Sequence, residues 1–428
     1  MRPPEATQQR RRRSLDLRAR GRTACQRVQN VVIAKPYRFV PPHRSRLWWH
    51  LFRPFLRGYL RRSAGIVEVH CRHVERLRAS LAAGHGVMLT PNHCRPPDPF
   101  VLGALSHEVS RPFYVIASWH LFMQNRLQTF LLPRLGVFSI YREGTDREAL
   151  KTAMQVTAEG ERPLVIFPEG VISRHNDRLN NLMEGTALIA RGAAKQRAAR
   201  HPAGKVVVHP VAIRYFFDGD VEAAVLPVLH EIERRLTWRT REGVPLLERI
   251  AKIGGALLAL KEIEYMGAPQ TGDLAERLQR LIDRLLVPLE DEWLKGRREK
   301  EVVARVKLLR IALLPALIDG SLPEAEVQRR WRQLADIYLA QQLAFYPPGY
   351  LDANPTAERL LETVEKFEED LTDRARIHAP IRAVVDVGEA IDVAPERTRG
   401  GDGDPLMSAI REQLETMLAA SLAERGRP

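Results

Sequence analysis

Residues 86–105 read Gly-Val-Met-Leu-Thr-Pro-Asn-His-Cys-Arg-Pro-Pro-Asp-Pro-Phe-Val-Leu-Gly-Ala-Leu. The apolar run Gly86 to Thr90 has the length and character of a buried strand, and Phe100 to Leu105 is helix-permissive. An imidazole, His93, therefore stands where a strand ends, and a carboxylate, Asp98, follows where a helix begins. Pro96-Pro97 between them can neither extend a sheet nor lie inside a helix, so the chain must turn. Such a turn can fold Asp98 back onto His93. A carboxylate bonded to one ring nitrogen fixes the tautomer and raises the basicity of the other, which makes a general base. The plainer alternative is that His93 satisfies a strand end and Asp98 caps a helix. Either way the stretch is a strand–turn–helix unit.

Outward from this unit, strands and helices alternate. Upstream, Ile66 to His70 is strand-like and Val74 to Ala83 helical. Downstream, Pro112 to Ser118 predicts a strand and 120–132 an apolar helix. Gly136 to Arg142 predicts a strand, Asp146 to Glu159 a helix, and Pro163 to Gly170 a buried strand running into a turn. Met183 to Arg200 reads as a helix and Val206 to Tyr215 as a strand. Alternation of this kind predicts an α/β fold, a mixed but mostly parallel sheet flanked by helices, with chemistry at the loops beyond the strand ends. Residues 222–377 break the pattern with long charged-apolar helical segments and no clear strand. Strand character returns over Arg382 to Ile391, and a last helix is expected over 405–423. The expected organisation is an α/β domain at 65–221, a large helical insertion at 222–377 before the last strand, and a return to the domain at 378–428.

Composition bounds the rest. The chain has 428 residues, 45% of them apolar, enough for a sizeable core. Its net charge is +14, which points to a polyanionic partner such as anionic lipid, a phosphorylated substrate or nucleic acid. Nine arginines against two acids in the first thirty residues place half of that excess in one tail. Residues 1–43 are accordingly expected to be a disordered basic arm. That arm holds no aromatics before residue 31 for base stacking, which argues against nucleic acid. Over 44–62, Trp48, Leu51, Phe52, Phe55 and Tyr59 share one helical face, while Arg46, Arg53, Arg57 and Arg61 share the other. This describes a helix lying in a membrane interface. A helix packed on the protein's own core is the competing reading, and Pro54 is a point where the helix should break or begin. No apolar run reaches the eighteen or so residues of a membrane span, and no signal-peptide core is expected. Three cysteines show neither a disulfide framework nor metal-ligand spacing, so no metal is expected and a reducing, cytoplasmic setting is. The expected location is the inner face of a membrane, with peripheral attachment.

Four segments carry polar groups where strands should end: Asn92-His93 with Asp98, Arg142, Glu169-Gly170 with Ser173 and Arg174, and His209-Pro210. In order and spacing they resemble the glycerophospholipid acyltransferase family. Its first motif is an Asn-His followed after four residues by Asp, as at Asn92, His93 and Asp98. Its second, Gly-x-x-Phe-Ile-x-Arg, is similar to Gly136 through Arg142. The third, Phe-Pro-Glu-Gly-Thr-Arg-Ser, resembles Phe167 through Ser173, and the fourth matches Pro210-Val211-Ala212. Ser139 stands where the family has phenylalanine, and Val171-Ile172 stand where it has Thr-Arg.

The resemblance implies transfer of an acyl group from a thioester, acyl-CoA or acyl carrier protein, to a hydroxyl of a phosphorylated glycerol lipid, with no cofactor besides that co-substrate. The residues fit such chemistry, which needs a base on the hydroxyl and cations for a phosphate. His93 with Asp98 is the expected base. Arg142 and Arg174 are expected on the acceptor phosphate, and Glu169 on acceptor hydroxyls or on Arg142. Asn92, Gly170, Ser173 and Pro210 complete the expected substrate site. Cys94 adjoins the base but has no base of its own, so direct transfer is expected rather than an acyl-cysteine. No Gly-x-Ser-x-Gly elbow of an α/β-hydrolase occurs. The preferred acceptor is 1-acylglycerol 3-phosphate, with glycerol 3-phosphate and lysophospholipids as alternatives.

Overall fold

A computed structural model describes residues 31–200, 204–236, 243–352, 354–396 and 404–425. The basic arm expected at 1–43 lies outside the described residues as far as residue 30. Strands β1 (Ile66–Arg72), β2 (Gly86–Pro91), β3 (Tyr114–Ser118), β4 (Val137–Ile140), β5 (Leu164–Val165), β6 (Val206–Phe217) and β7 (Ile381–Val387) form one sheet in the order β1-β7-β6-β2-β5-β3-β4. A short β8 (Ile391–Asp392) pairs with β6. From β6 through β4 every neighbouring pair is parallel, whereas β7 runs antiparallel to β6 and parallel to β1. The α/β fold with a mixed, mostly parallel sheet is therefore observed.

Strand β2 shows why the sheet is buried on both faces. Val87 and Leu89 enter one core with helices α3 (Val74–Ala82) and α4 (Asp98–Glu108), while Met88 enters another with α6 (Arg147–Glu159) and α7 (Gly185–Arg200). Continuous apolar sequence, rather than alternation, is what a strand covered on both faces requires. The second core is completed by the C-terminal helix, Pro405–Arg425.

Between β6 and β7 the described residues are helical: α8 (Val221–Arg235), α9 (Leu246–Met266), α10 (Leu274–Leu294), α11 (Val302–Asp319), α12 (Glu324–Leu343) and α13 (Ala357–Thr372). They do not pack as one unit. Helix α8, the first half of α9 and α13 bury apolar residues in the sheet's own core. Helices α10 to α12 build a separate core around Leu281, Leu309 and Leu334, joined by Leu258 of α9. The insertion precedes β7 and β8, so two strands follow it rather than one.

Three local expectations are corrected. Residues 31–43 are bound to the domain rather than free: Val32 is buried, Val40 and Ser139 exchange a hydrogen bond with Val40 N donating to Oγ at 2.9 Å, and the Tyr37 hydroxyl donates to Asp146 at 2.5 Å. The strand expected over Pro163 to Gly170 shortens to two residues, because the chain turns at Phe167, whose carbonyl accepts from Gly170 N. The helix expected over 120–132 divides into a 3-10 turn, Trp119–Met123, and α5 (Arg126–Arg134), which starts where the Asn125 side chain accepts from Gln128 N.

The 44–62 segment breaks at Pro54. Helix α1 (Leu47–Phe52) gives way to a 3-10 turn over Arg53–Phe55 and then to α2 (Leu56–Ala64). The segment is packed on the protein in part and exposed in part. Leu60 is buried, and Trp48 stacks on Phe52 and meets the edge of Phe130 at 5.4 Å. Leu47, Leu51, Phe55 and Tyr59, four residues apart, remain exposed, with Met123, Leu127 and Phe130 exposed as well. No helix among the described residues is long and apolar enough to cross a membrane.

Candidate active site

The C-terminal ends of β2, β4 and β5 lie side by side because these strands are parallel and close in the sheet order. The loops that follow them carry His93, Arg142 and Glu169. The turn after β2 is fixed from several sides. Pro96 and Pro97 reverse the chain, and α4 starts at Asp98 with no side-chain cap at Pro97. The Asp98 carboxylate is instead turned back: Oδ2 lies 2.8 Å from His93 Nδ1 and accepts from Arg95 N at 3.0 Å. Oδ1 accepts from the Tyr215 hydroxyl at 2.5 Å. Asp98 is fully buried, so this carboxylate has exchanged water for these three fixed partners. The helix-cap reading of Asp98 is thereby excluded.

The backbone of His93 is clamped at both ends. Its N–H donates to Glu169 Oε1 at 2.7 Å, and its carbonyl accepts from Ser173 N at 2.7 Å. The ring lies on Phe167, with centroids 4.0 Å apart. With Nδ1 on Asp98, Nε2 has no partner among the described residues and is the atom available to a substrate proton. This is a general-base geometry.

Several residues expected on the substrate hold the frame instead. The Asn92 amide replaces a strand rung: Nδ2 donates to Ile213 O at 2.9 Å and Oδ1 accepts from Ile213 N at 2.6 Å. Asn176 does the same two residues along β6, at Tyr215. Glu169 gives its carboxylate to the His93 and Asn180 amides, not to Arg142 or to open space. Burial drives its pKa up to about 7, with those two amides and the distant Arg411 opposing the rise. Ser173 is fully buried, and its hydroxyl pairs with the backbone of His175. Pro210 lies inside β6, at the gap where β7 has ended and β8 has not begun, and its carbonyl accepts from Gly388 N. A strand tolerates a missing N–H at such a break. Arg174 hydrogen-bonds Glu369 of α13 rather than standing free for a phosphate.

Arg142 is different. Its guanidinium donates to the carbonyl of Gly170, whose left-handed φ of 68° presents that carbonyl, and where a Cβ would lie 2.3 Å from the Met183 sulfur. Burial lowers its pKa. Arg310 of α11 is buried nearby, 6% exposed, with one N–H on Gln341 Oε1 at 3.0 Å and Nε without a partner. Its pKa falls to about 10, first through burial and then through the charge of Arg142. His120, bonded to Ser118, drops to about 4 through burial and the charges of both arginines. Among the described residues neither guanidinium has a carboxylate within salt-bridge distance. Arg142, only partly covered, and buried Arg310 both also feel the carboxylate of Glu143, which opposes the fall in their pKa values.

Sequence reasoning missed Arg310, Tyr215 and Asn176. Arg310 sits within a helix whose other arginine, Arg305, pairs with Asp283 and Glu290, so nothing marked it. The hydroxyl of a tyrosine on a strand face that is apolar apart from His209 was the one available signal for Tyr215. Cys94 is fully buried and burial pushes its thiol well up, so it carries no thiolate for attack.

The departure at Ser139 also has a cause. Its hydroxyl accepts from Val40 N and meets the Tyr37 hydroxyl at 3.0 Å, so the segment before α1 packs where a larger side chain would project.

Residues 68–214 match the model of the acyltransferase family. The matched stretch runs from β1 to within three residues of the end of β6, contains His93, Asp98, Arg142 and Glu169 but not Tyr215, and leaves out the helical insertion. The match supports acyl transfer as the general chemistry of this part of the chain. A search of curated proteins finds no match to the chain.

Proposed function

We propose that the protein moves a fatty acyl group from a thioester, acyl-CoA or acyl carrier protein, to a hydroxyl of 1-acylglycerol 3-phosphate, giving phosphatidate. The observation that carries the reaction type is the free Nε2 of His93, opposite a ring nitrogen held by buried Asp98. Nε2 takes the acceptor's hydroxyl proton as that oxygen attacks the thioester carbonyl. The C–S bond then breaks, and the proton passes to the departing thiolate. Support for a phosphate on the acceptor is the nearness of Arg142 and Arg310, neither of which makes a salt bridge among the described residues, with Glu143 as the one carboxylate acting on both.

The acceptor is drawn from a membrane surface. Leu47, Leu51, Phe55 and Tyr59 face outward as an apolar stripe, beside exposed Arg46, Arg53, Arg57 and Arg61. Apolar insertion and attraction to anionic lipid then act on one edge, as on an interfacial helix. The reading places the protein peripherally on the inner, cytoplasmic face of a membrane.

Purified full-length protein is assayed with radiolabelled acyl-CoA and with acyl carrier protein on anionic vesicles. The acceptor panel is 1-acylglycerol 3-phosphate, glycerol 3-phosphate, a lysophospholipid and a phosphate-free monoacylglycerol. Labelled phosphatidate from the first acceptor is the expected product. Acylation of the phosphate-free acceptor alone would remove the phosphate assignment.

A further inference from the structure

Tyr215 lies just beyond the matched stretch, and no motif of the sequence includes it. Its surroundings fix it more tightly than packing requires. The residue belongs to β6, is 1% exposed, and both its backbone N–H and carbonyl are taken by the Asn176 amide, at 2.7 and 2.6 Å. On β7 it pairs with Ala383. The Arg95 guanidinium lies 5.6 Å from its ring centroid, and Arg95 is itself held by Glu365 at 3.1 Å and Glu362 at 3.5 Å. The hydroxyl therefore projects from a rigid strand to one oxygen, Asp98 Oδ1.

That oxygen has one other neighbour, the Cys94 thiol at 3.9 Å, a weak donor at long range. The opposite oxygen, Oδ2, carries the contact to His93. We propose that Tyr215 is a positioning residue for acyl transfer, donating to Asp98 so that the carboxylate keeps the plane that orients His93 and draws less strongly on the imidazole proton. The proposal rests on the acyltransferase reading for its kinetic consequences. Burial, followed by the charge of Asp98, raises the Tyr215 pKa far enough that the phenol remains a donor throughout the working range. The charged and titratable groups facing the pair are Cys94, Arg95 and Asp98 from the turn, Glu362 and Glu365 from α13, and Glu169 behind the His93 amide.

A carboxylate that loses a hydrogen bond becomes the stronger partner of an imidazolium, so a higher pH is needed to free the base. Tyr215→Phe removes the hydroxyl alone. In the full-length protein it should lower kcat about tenfold, equivalent to about 1.4 kcal/mol at 25 °C. KM for both substrates should stay within about twofold, and the acid limb of the kcat/KM profile should move up by roughly half a pH unit. In an Asp98→Asn background the same change should cost little more, because its action passes through Asp98. A 3-fluorotyrosine placed at position 215 keeps the shape and strengthens the donor, so it should move the limb downward. This second variant decides the matter if Tyr215→Phe does not fold.

The rate of His93 carbethoxylation against pH, followed by peptide mass spectrometry, reads the same effect without substrate. Equal losses in the two backgrounds, or an acid limb and a carbethoxylation profile unmoved by either variant, would reduce Tyr215 to a core residue. Absence of transfer by the wild type to any acceptor would instead count against the functional reading, while the carbethoxylation profile would still decide the role of Tyr215.

Discussion

Arg95, in the turn that carries the base, meets Glu365 of α13 at 3.1 Å, and this ion pair ties the His93–Asp98 unit to the end of the helical insertion. Glu362 approaches the same guanidinium at 3.5 Å, also accepts from the Tyr350 hydroxyl, and is buried. The insertion is therefore part of the wall around the catalytic turn.

Arg95→Ala should leave two buried carboxylates without their cation. Breaking one side of a buried ion pair costs on the order of 3 kcal/mol. Denaturant unfolding of the wild type and the variant measures that loss. An unchanged midpoint would mean that the turn does not depend on α13.

Arg142→Ala should raise the KM for the phosphorylated acceptor or lower turnover far more than it alters use of the acyl donor. Arg310→Gln should act in the same direction by about tenfold, since a charge-assisted contact to an anion is worth about 1.5 kcal/mol or more. The test is steady-state kinetics with each substrate varied in turn. A KM change for acyl-CoA alone would move the anion site to the donor's phosphates.

The alternation of apolar runs made the sheet legible in the sequence, because strands covered on both faces read as nearly continuous apolar runs, as β2 does and as β6 does apart from His209 and Arg214. Asp98 and His93 were legible together because two prolines leave the chain no path except a reversal. What was not legible is which polar groups face inward. Asn92 and Asn176 spend their amides on β6, and Ser173 and Glu169 on the His93 peptide or its neighbours. In sequence, these look the same as groups that face a substrate. Pairings across long separations, such as Arg174 with Glu369 and Tyr215 with Asp98, depend on how the insertion and β6 come together, and no local pattern encodes them.

Glu169 provides a pH signature. Its folded pKa of about 7 lies above the ordinary carboxyl value, so the folded state binds the extra proton. That contribution to stability is complete below about pH 4.5 and is lost as pH rises to about 7, by on the order of 3 kcal/mol at most. Glu169→Gln should flatten this component of a Tm-against-pH series between those limits. Identical slopes in the two proteins would show that Glu169 is ionised throughout.

Leu51→Glu with Phe55→Glu should weaken co-sedimentation with anionic vesicles about tenfold or more, since each fully buried large apolar side chain contributes about 1.5–3 kcal/mol. Wild-type binding should decline in salt without vanishing, because the basic residues add only about 1 kcal/mol each near an anionic surface. Binding that is insensitive to both substitutions would move the membrane contact elsewhere on the molecule.

The most direct measurement is acyl transfer by His93→Ala, in protein shown by circular dichroism and thermal unfolding to keep the wild-type fold. With Nε2 absent, nothing among the described groups takes the acceptor's proton, so turnover should fall by about 10²- to 10⁴-fold. Cys94→Ala, prepared alongside, should keep its activity. Near-wild-type turnover by His93→Ala would contradict the account, as would an acyl group found covalently attached to Cys94.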